Sequence, residues 1–423
     1  MEKKKSFSLK GDKVIWMILF LLCIISIIEV FSASSILTYN TGDYLSPVIK
    51  HAGLLLTGVA MAFITMRIPC KYFQVATLWL LLASFLLLCV ALIMEDKTNG
   101  ASRWLSLGGI KFQPSEMAKG ALVLAVAHIL SIRDKDEFFK YRAFKVILFV
   151  SALIVIPILL ENFSTAALLS LVVFLMMIIG RIPAKQLLKL VAFVVVMAAM
   201  FLAFIFVVPE ENKEETVTDD VEMVAENEKE AKTDEDDLFK KLTHRVPTWK
   251  NRIVSFMDQD SIKPEDVDLN FDAQWAHSNI AIASSGIIGK GPGNSTERDF
   301  LPQAFSDFIY AIIVEEMGII GAVVVCFLYI FLLFRTASIA SRCANSFPAL
   351  LIMGIALLIV VQAMFNMLVS VGAVPVTGQP LPLISKGGTS SIINCIYIGI
   401  IQSVSISAKK KTNDEKVSAA VAR

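Results

Sequence analysis

The sequence predicts an all-α integral membrane protein, and three observations carry that expectation. The chain of 423 residues is 56% hydrophobic and only 18% charged, with a mean hydropathy of +0.67. A soluble domain carries about 45–50% apolar and about 25% charged residues, so no water-facing fold would hide this excess. The apolar residues also gather in runs near the length of about 20 that one helix needs to cross a hydrocarbon core about 30 Å thick. Third, 39 Lys and Arg against 38 Asp and Glu leave a net charge of +1, yet bases and acids occupy different stretches. The balance excludes a nucleic-acid binder driven by bulk charge.

Taken in order, a basic tail at 1–13 precedes the first span, Val14–Ser35, whose apolar run is too long for a cleaved signal. Nine more follow: His51–Met66, Phe73–Met94, Met117–Ile132, Val146–Leu160, Ala166–Gly180, Leu190–Val208, Gly318–Phe334, Pro348–Ser370 and Thr389–Ser407. With the N-terminus inside, the cytoplasmic segments hold 22 Lys and Arg and the four short outer loops hold 5. Positive residues favour the cytoplasmic side, so about ten transmembrane helices with both termini cytoplasmic are expected. Helices 1–7 then fill 14–208, and a large extracytoplasmic loop occupies 209–304 between helices 7 and 8. A re-entrant segment and helices 8–10 fill 305–408, leaving a cytoplasmic tail at 409–423.

Within the outer loop, 210–237 holds 14 acidic residues and three lysines. So little apolar surface cannot offset ordering entropy, and a disordered spacer is expected rather than a docking tail. Leu238–Met257 mixes bases with aromatic and aliphatic residues, which suits a segment lying among membrane lipids at the outer surface. Pro247 divides it. The six cysteines show no CxxC pairing and no histidine at metal-ligand spacing, and read as small apolar filler.

Three outer-side stretches carry more chemistry than a connection needs. In NGASRWLSLGGIKFQPSEMAK (99–119), Arg103 and Trp104 lie at the membrane surface and Gly108–Gly109 allows a tight turn. Pro114 suits a helix start. Glu116 and Lys119 then share one helix face just inside the bilayer. Charges there are costly and face a cavity or each other, so they are either a packing pair or part of a site. In FLPQAFSDFIYAIIVEEMG (300–318), Asp307 stands among apolar residues, where desolvation raises a carboxylate's pKa and makes it a usable general base. Helix capping is the plainer role for it. Glu315 and Glu316 read as structural. This helix plus the following span is too long for a simple crossing, which suggests a half-helix lining a cavity. In GAVPVTGQPLPLISKGGTSS (372–391), Ser385, Lys386, Gly387, Gly388 and Thr389 precede the last span. Their N–H groups, hydroxyls and cation suit a phosphate or pyrophosphate, although the Walker spacing is absent and a packing turn is an equal alternative. His51 and His128 have no identifiable partner, and His277 reads as solvated.

Together these three stretches resemble the signature segments of the SEDS (shape, elongation, division and sporulation) family, as do AIASSGIIGKGPG (281–293) and HRVPTWKNRIVSFMD (244–258). The wording PVTGQPLPLIS is closer to the family's division members than to its elongation members. The resemblance spans all ten predicted helices. It implies a peptidoglycan glycosyltransferase of the cytoplasmic (inner) membrane at the division septum. Such an enzyme polymerises lipid II into glycan strands beside a class B penicillin-binding protein, its transpeptidase partner, and other division proteins. Carried over by position, Asp307 matches the family's essential aspartate. Arg103, Glu116 and Lys119 match the charges of its RW…QPSE..K motif, and Ser385, Gly387 and Gly388 match its SYGG loop. The sequence departs in three places: Gln303 stands for the family's Glu, Lys386 for its Tyr, and Glu161-Asn162-Phe163-Ser164-Thr165 for its PDxGT.

The implied chemistry is inverting. Asp307 takes the proton of the acceptor's sugar hydroxyl, and undecaprenyl pyrophosphate leaves, stabilised by Arg103, Lys119 and the 385–389 turn. The sequence itself assigns no cofactor. A divalent cation, Mg or Mn, would assist, but the sequence offers no dedicated ligand cluster for it. A lipid II flippase and a non-catalytic division scaffold are the alternatives; neither needs a base at Asp307.

Overall fold

The computed structural model describes residues 10–33, 46–93, 105–107, 110–132, 137–207, 252–254, 256–257, 273–301 and 304–421. Arg103, Trp104, Gln303 and the acidic insert 210–237 lie outside the described residues. The elements run α1 (Lys13–Ala33), α2 (Ser46–Thr65), α3 (Cys70–Ile93), β1 (Leu105–Leu107), β2 (Ile110–Phe112), α4 (Pro114–Ser131), α5 (Glu137–Glu161) and α6 (Phe163–Ile179). They continue as α7 (Ala184–Val207), α8 (Ala273–Ser284), a 3-10 turn (Glu297–Asp299), α9 (Ile309–Ala340), α10 (Ser346–Ser370) and α11 (Thr389–Val421). Each of the ten predicted spans coincides with a helix. Seven of the described helices are long and apolar enough to cross a membrane, and α6 is a shorter apolar one. The protein is a multi-pass helical membrane protein.

Two features differ from the expected all-α layout. The segment after Trp104 is not an open loop: β1 and β2 pair antiparallel, Leu105 opposite Phe112 and Leu107 opposite Ile110. The last helix continues past the predicted span to Val421.

The chain divides into two compact units, 184–259 and the remainder. In the larger unit, α4 packs against α3 and α10, α2 against α11, and α9 against α10 and α1. Lipid offers no hydrophobic drive for helix association, so close approach of small residues substitutes for it. At Gly58 on α2, an added Cβ would collide with Cys395 of α11, and at Gly399 of α11 it would meet the Ala62 backbone of α2. In the smaller unit, α7 is a 24-residue apolar helix.

The excess length expected of this helix contains a break. α9 is broken at Gly318, whose φ of 67° and ψ of −169° only glycine tolerates. The four main-chain groups freed by the break are taken up by the 286–291 loop. Lys290 and Gly291 donate to the Glu315 and Glu316 carbonyls at 2.9 and 2.8 Å, and Ile319 and Ile320 donate to Gly286 and Ile287. The buried piece before the break, 309–316, carries Asp307 at its head.

Candidate active site

The site is built on a row of polar side chains that the apolar composition of α10 conceals. Gln362, Asn366 and Ser370 recur at i, i+4 and i+8, so they share one helix face, and all three are buried. Gln362 and Asn366 each tie a different stretch to α10, while the Ser370 hydroxyl donates to the Asn366 carbonyl within the helix.

Gln362 receives the first stretch. Pro114 starts α4 with Glu116 in its first turn, and the i, i+3 spacing yields the expected ion pair: Lys119 Nζ lies 2.8 Å from Glu116 Oε1. Lys119 is 1% exposed, and its ammonium also donates to Gln362 Oε1 at 2.8 Å. Tyr397 of α11 donates to the Glu116 carbonyl at 2.7 Å. The pair therefore joins α4, α10 and α11.

Asn366 receives the second stretch. Its Nδ2 donates to the main-chain carbonyls of Asp307 (2.7 Å) and Gln379 (2.8 Å). Asp307 is half-buried, and Ser306 Oγ donates to its Oδ1 at 3.0 Å. The cap position of α9 falls at Phe308, one residue after Asp307, and the Phe308 side chain makes no cap bond. Phe308 instead anchors the turn in a buried cluster with Leu301, Ala304, Ile312 and Val369. Gly378 stands opposite the carboxylate: a Cβ there would lie 3.4 Å from Asp307 Oδ2, and its φ of 65° suits glycine.

The third stretch wraps around these two. Gln362 Nε2 donates to the Pro380 carbonyl at 3.0 Å, and Gln379 Nε2 to Thr165 Oγ1 at 2.8 Å. Ser385 is buried; its hydroxyl donates to the Ser306 carbonyl at 2.5 Å and accepts from Leu381 N–H at 2.7 Å. The Lys386 N–H donates to the Phe305 carbonyl at 3.0 Å, and its ammonium lies 5.0 Å from the Phe305 ring centroid. Ser385 and Lys386 thus clamp the turn just before Asp307. Burial, then the nearby Lys50 charge, holds the Lys386 ammonium below the ordinary lysine value. The Gly387 carbonyl accepts from Ser390 N–H and Oγ, and Gly388 takes a φ of 57° just ahead of Thr389, where α11 begins.

Glu315 and Glu316 have the structural role expected of them. Glu315 accepts from Lys290 Nζ (2.6 Å), Thr296 and Ser295, and Glu316 from the N–H of Gly293 (2.9 Å) and the Ser32 hydroxyl. They bind the 290–297 loop to α9. His277 is not solvated: its Nδ1 lies 2.6 Å from Glu297 Oε2 and its ring stacks on Phe300. His51 does have a partner, the Ser26 hydroxyl at 2.7 Å. Asn162 caps α6 through Thr165 N–H, and with Glu161 it lines a small, partly open pocket beside Gln113 and Pro114. Among the described residues no group of three His, Cys, Asp or Glu side chains is placed to hold a metal ion. All six cysteines are free.

Sequence reasoning missed Gln362, Asn366 and Gln379. The signal was there: two amides one turn apart inside an apolar span, where polar groups are costly unless paired.

The fold has solved counterparts. One, from a study entitled "Structural coordination of polymerization and crosslinking by a peptidoglycan synthase complex", matches with a TM-score of 0.67 at 22% identity, covering 95% of this chain and 99% of the other. Thermus thermophilus rod shape determining protein RodA matches with a TM-score of 0.61 at 21% identity over 93% and 96% of the two chains. In sequence, the chain is 27% identical to a protein of Coxiella burnetii named "Probable peptidoglycan glycosyltransferase FtsW", over 95% of this chain and 98% of the relative. It is 28% identical to a protein of the same name from Geobacter metallireducens, over 94% and 95%. The FtsW/RodA/SpoVE family model, described as cell cycle protein, matches residues 12–230 and 241–410, and the chain belongs to that family.

Proposed function

We propose that this protein is an inverting peptidoglycan glycosyltransferase that polymerises lipid II at the outer face of the cytoplasmic membrane, in septal wall synthesis. In this reading the chain crosses the membrane ten times with both termini inside, and Arg103 and Asp307 stand on the outer side. The observation that carries it is the setting of Asp307. Its main chain is fixed by Asn366 and its carboxylate faces the Gly378 turn, beside the clamped Ser385–Lys386 segment. A general base must be held this firmly, because proton transfer depends on geometry before pKa.

The step follows from the residues. The acceptor's sugar 4-hydroxyl loses its proton to the Asp307 carboxylate, and its oxygen attacks the anomeric carbon of the growing chain. The bond from that carbon to undecaprenyl pyrophosphate breaks with inversion. Negative charge develops on the departing pyrophosphate, and fixed donors aimed at it lower the barrier most. Lys386, Gly388, Thr389 and Arg103 are the groups for that task. Lys119 contributes differently, since Glu116 and Gln362 already take its charge: it positions the cavity wall.

The names borne by the relatives support this activity, and the synthase-complex counterpart supports a class B penicillin-binding protein as partner. The test uses the purified protein with its cognate penicillin-binding protein and labelled lipid II, read as glycan polymer. Asp307→Asn keeps the shape but cannot take the proton, so polymerisation is expected to fall about 10²–10⁴-fold, with folding and partner binding intact. Polymer formed at the parental rate by that variant would remove Asp307 as the base and favour the flippase or scaffold reading.

A further inference from the structure

We propose that Asn366 is a positioning residue for the transferase reaction, holding the Asp307 carboxylate and the Gly378 turn at a fixed separation. The inference rests on Asp307 being the base. One side chain bridges the two walls of the site: its Nδ2 donates to the Asp307 carbonyl at 2.7 Å and to the Gln379 carbonyl at 2.8 Å. Both partners are acceptors, so the chemistry alone decides which amide atom faces them. The other amide atom, Oδ1, is buried and makes no hydrogen bond. Leaving a buried acceptor unmade has a cost, so the side chain is present for its two donors. A helix that only had to pack in lipid would place an aliphatic residue here.

The two carbonyls matter because of what sits next to them. Fixing the Asp307 carbonyl fixes the peptide plane from which α9 departs, and with it the direction of the Asp307 side chain. Fixing the Gln379 carbonyl fixes the adjacent Gly378, whose backbone closes on Asp307 Oδ2. Ser385 makes a second tie one residue further out on one side and two on the other, between Leu381 N–H and the Ser306 carbonyl, whereas Asn366 holds the Asp307 and Gln379 carbonyls themselves. Loss of the bridge lets the base and the opposing turn drift apart, and a displacement of about 1 Å in a reacting group costs about 10²-fold in rate.

The test is a mutant cycle on the intact complex with its penicillin-binding protein, using labelled lipid II. Asn366→Leu keeps the branched side-chain shape and removes both donors. Its kcat is expected to fall about 10–10²-fold with KM for lipid II, yield and partner binding unchanged. Asn366→Gln, which keeps the donors on a stem longer by one methylene, should recover part of the loss. In an Asp307→Asn background, Asn366→Leu should cause no further loss, because it acts only through the base. A parental kcat in Asn366→Leu overturns the proposal, and so does an equal fractional loss in both backgrounds. If Asn366→Leu accumulates poorly, the cycle is run with Asn366→Gln: a drop confined to the Asp307 background supports the bridge, and a drop in both overturns it. Parental activity in Asp307→Asn alone is a different outcome, since it removes the base assignment itself.

Discussion

Lys119 and Glu116 illustrate how a single ion pair behaves when lipid surrounds the protein. Neither side chain reaches solvent; the Lys119 ammonium gains a second acceptor in Gln362 and the Tyr397 hydroxyl bonds the Glu116 main-chain carbonyl, while Glu116 Oε2 is buried without a hydrogen bond. Burying two charges is expensive, and their attraction compensates only when geometry is good and remaining groups are satisfied. Breaking such a pair from one side leaves an uncompensated charge, which costs about 3–5 kcal/mol. Glu116→Ala or Lys119→Ala should therefore lower the thermal stability and yield of the detergent-purified protein. Lys185→Ala, on an exposed site, should not. Replacing both charges by apolar residues of similar size should cost less than either single change, a non-additivity expected of coupled neighbours. Additive losses in the double variant would show that the two side chains act independently.

Among the elements, one junction away from the site is made by the residue just before α1. Asp12 accepts from the N–H of Val14 at 3.0 Å, capping the helix, and from Arg335 of α9 at 2.7 and 3.1 Å. Its own main chain exchanges two hydrogen bonds with the Gln402 amide of α11. Three helices thus meet at one buried residue. Burial pushes its pKa up, but the bonds from Arg335 and the helix N–H groups outweigh that and hold it below the ordinary value of 3.8. A depressed carboxylate pKa adds stability that is complete above the unfolded value and disappears as pH falls through the folded one. Thermal stability should therefore decline below about pH 4, and Asp12→Asn should remove that part of the acid dependence. At neutral pH the same variant should lose about 2–3 kcal/mol, from the cap and the charged hydrogen bonds. A pH profile of Asp12→Asn matching the parent's would show that the acid sensitivity has another source.

At the scale of the whole molecule, what the sequence discloses depends on how local the cause is. Apolar runs placed a helix under every predicted span, because the length of a crossing is a local property. The Glu116–Lys119 pair was readable from i, i+3 spacing for the same reason. The bridge from Asn366 to Asp307 was not: it joins residues 59 apart, and no periodicity records which carbonyl a buried amide will find. The break at Gly318 was foreshadowed only as excess length, since its partners lie in the separate 286–291 loop. The acidic insert 210–237 is the opposite case, a feature written in composition alone. Its 14 carboxylates repel one another and offer no face to bury, a composition from which we expect a spacer between the spans before it and the basic, aromatic segment after it. A spacer contributes length, and the closure entropy of a loop changes by only about 0.6 kcal/mol when its length doubles. Deleting 210–237 should accordingly leave membrane insertion, stability and the rate of lipid II polymerisation near the parental values. Loss of polymerisation in a deletion variant that inserts and accumulates normally would mean that the carboxylates engage a partner or a cation directly.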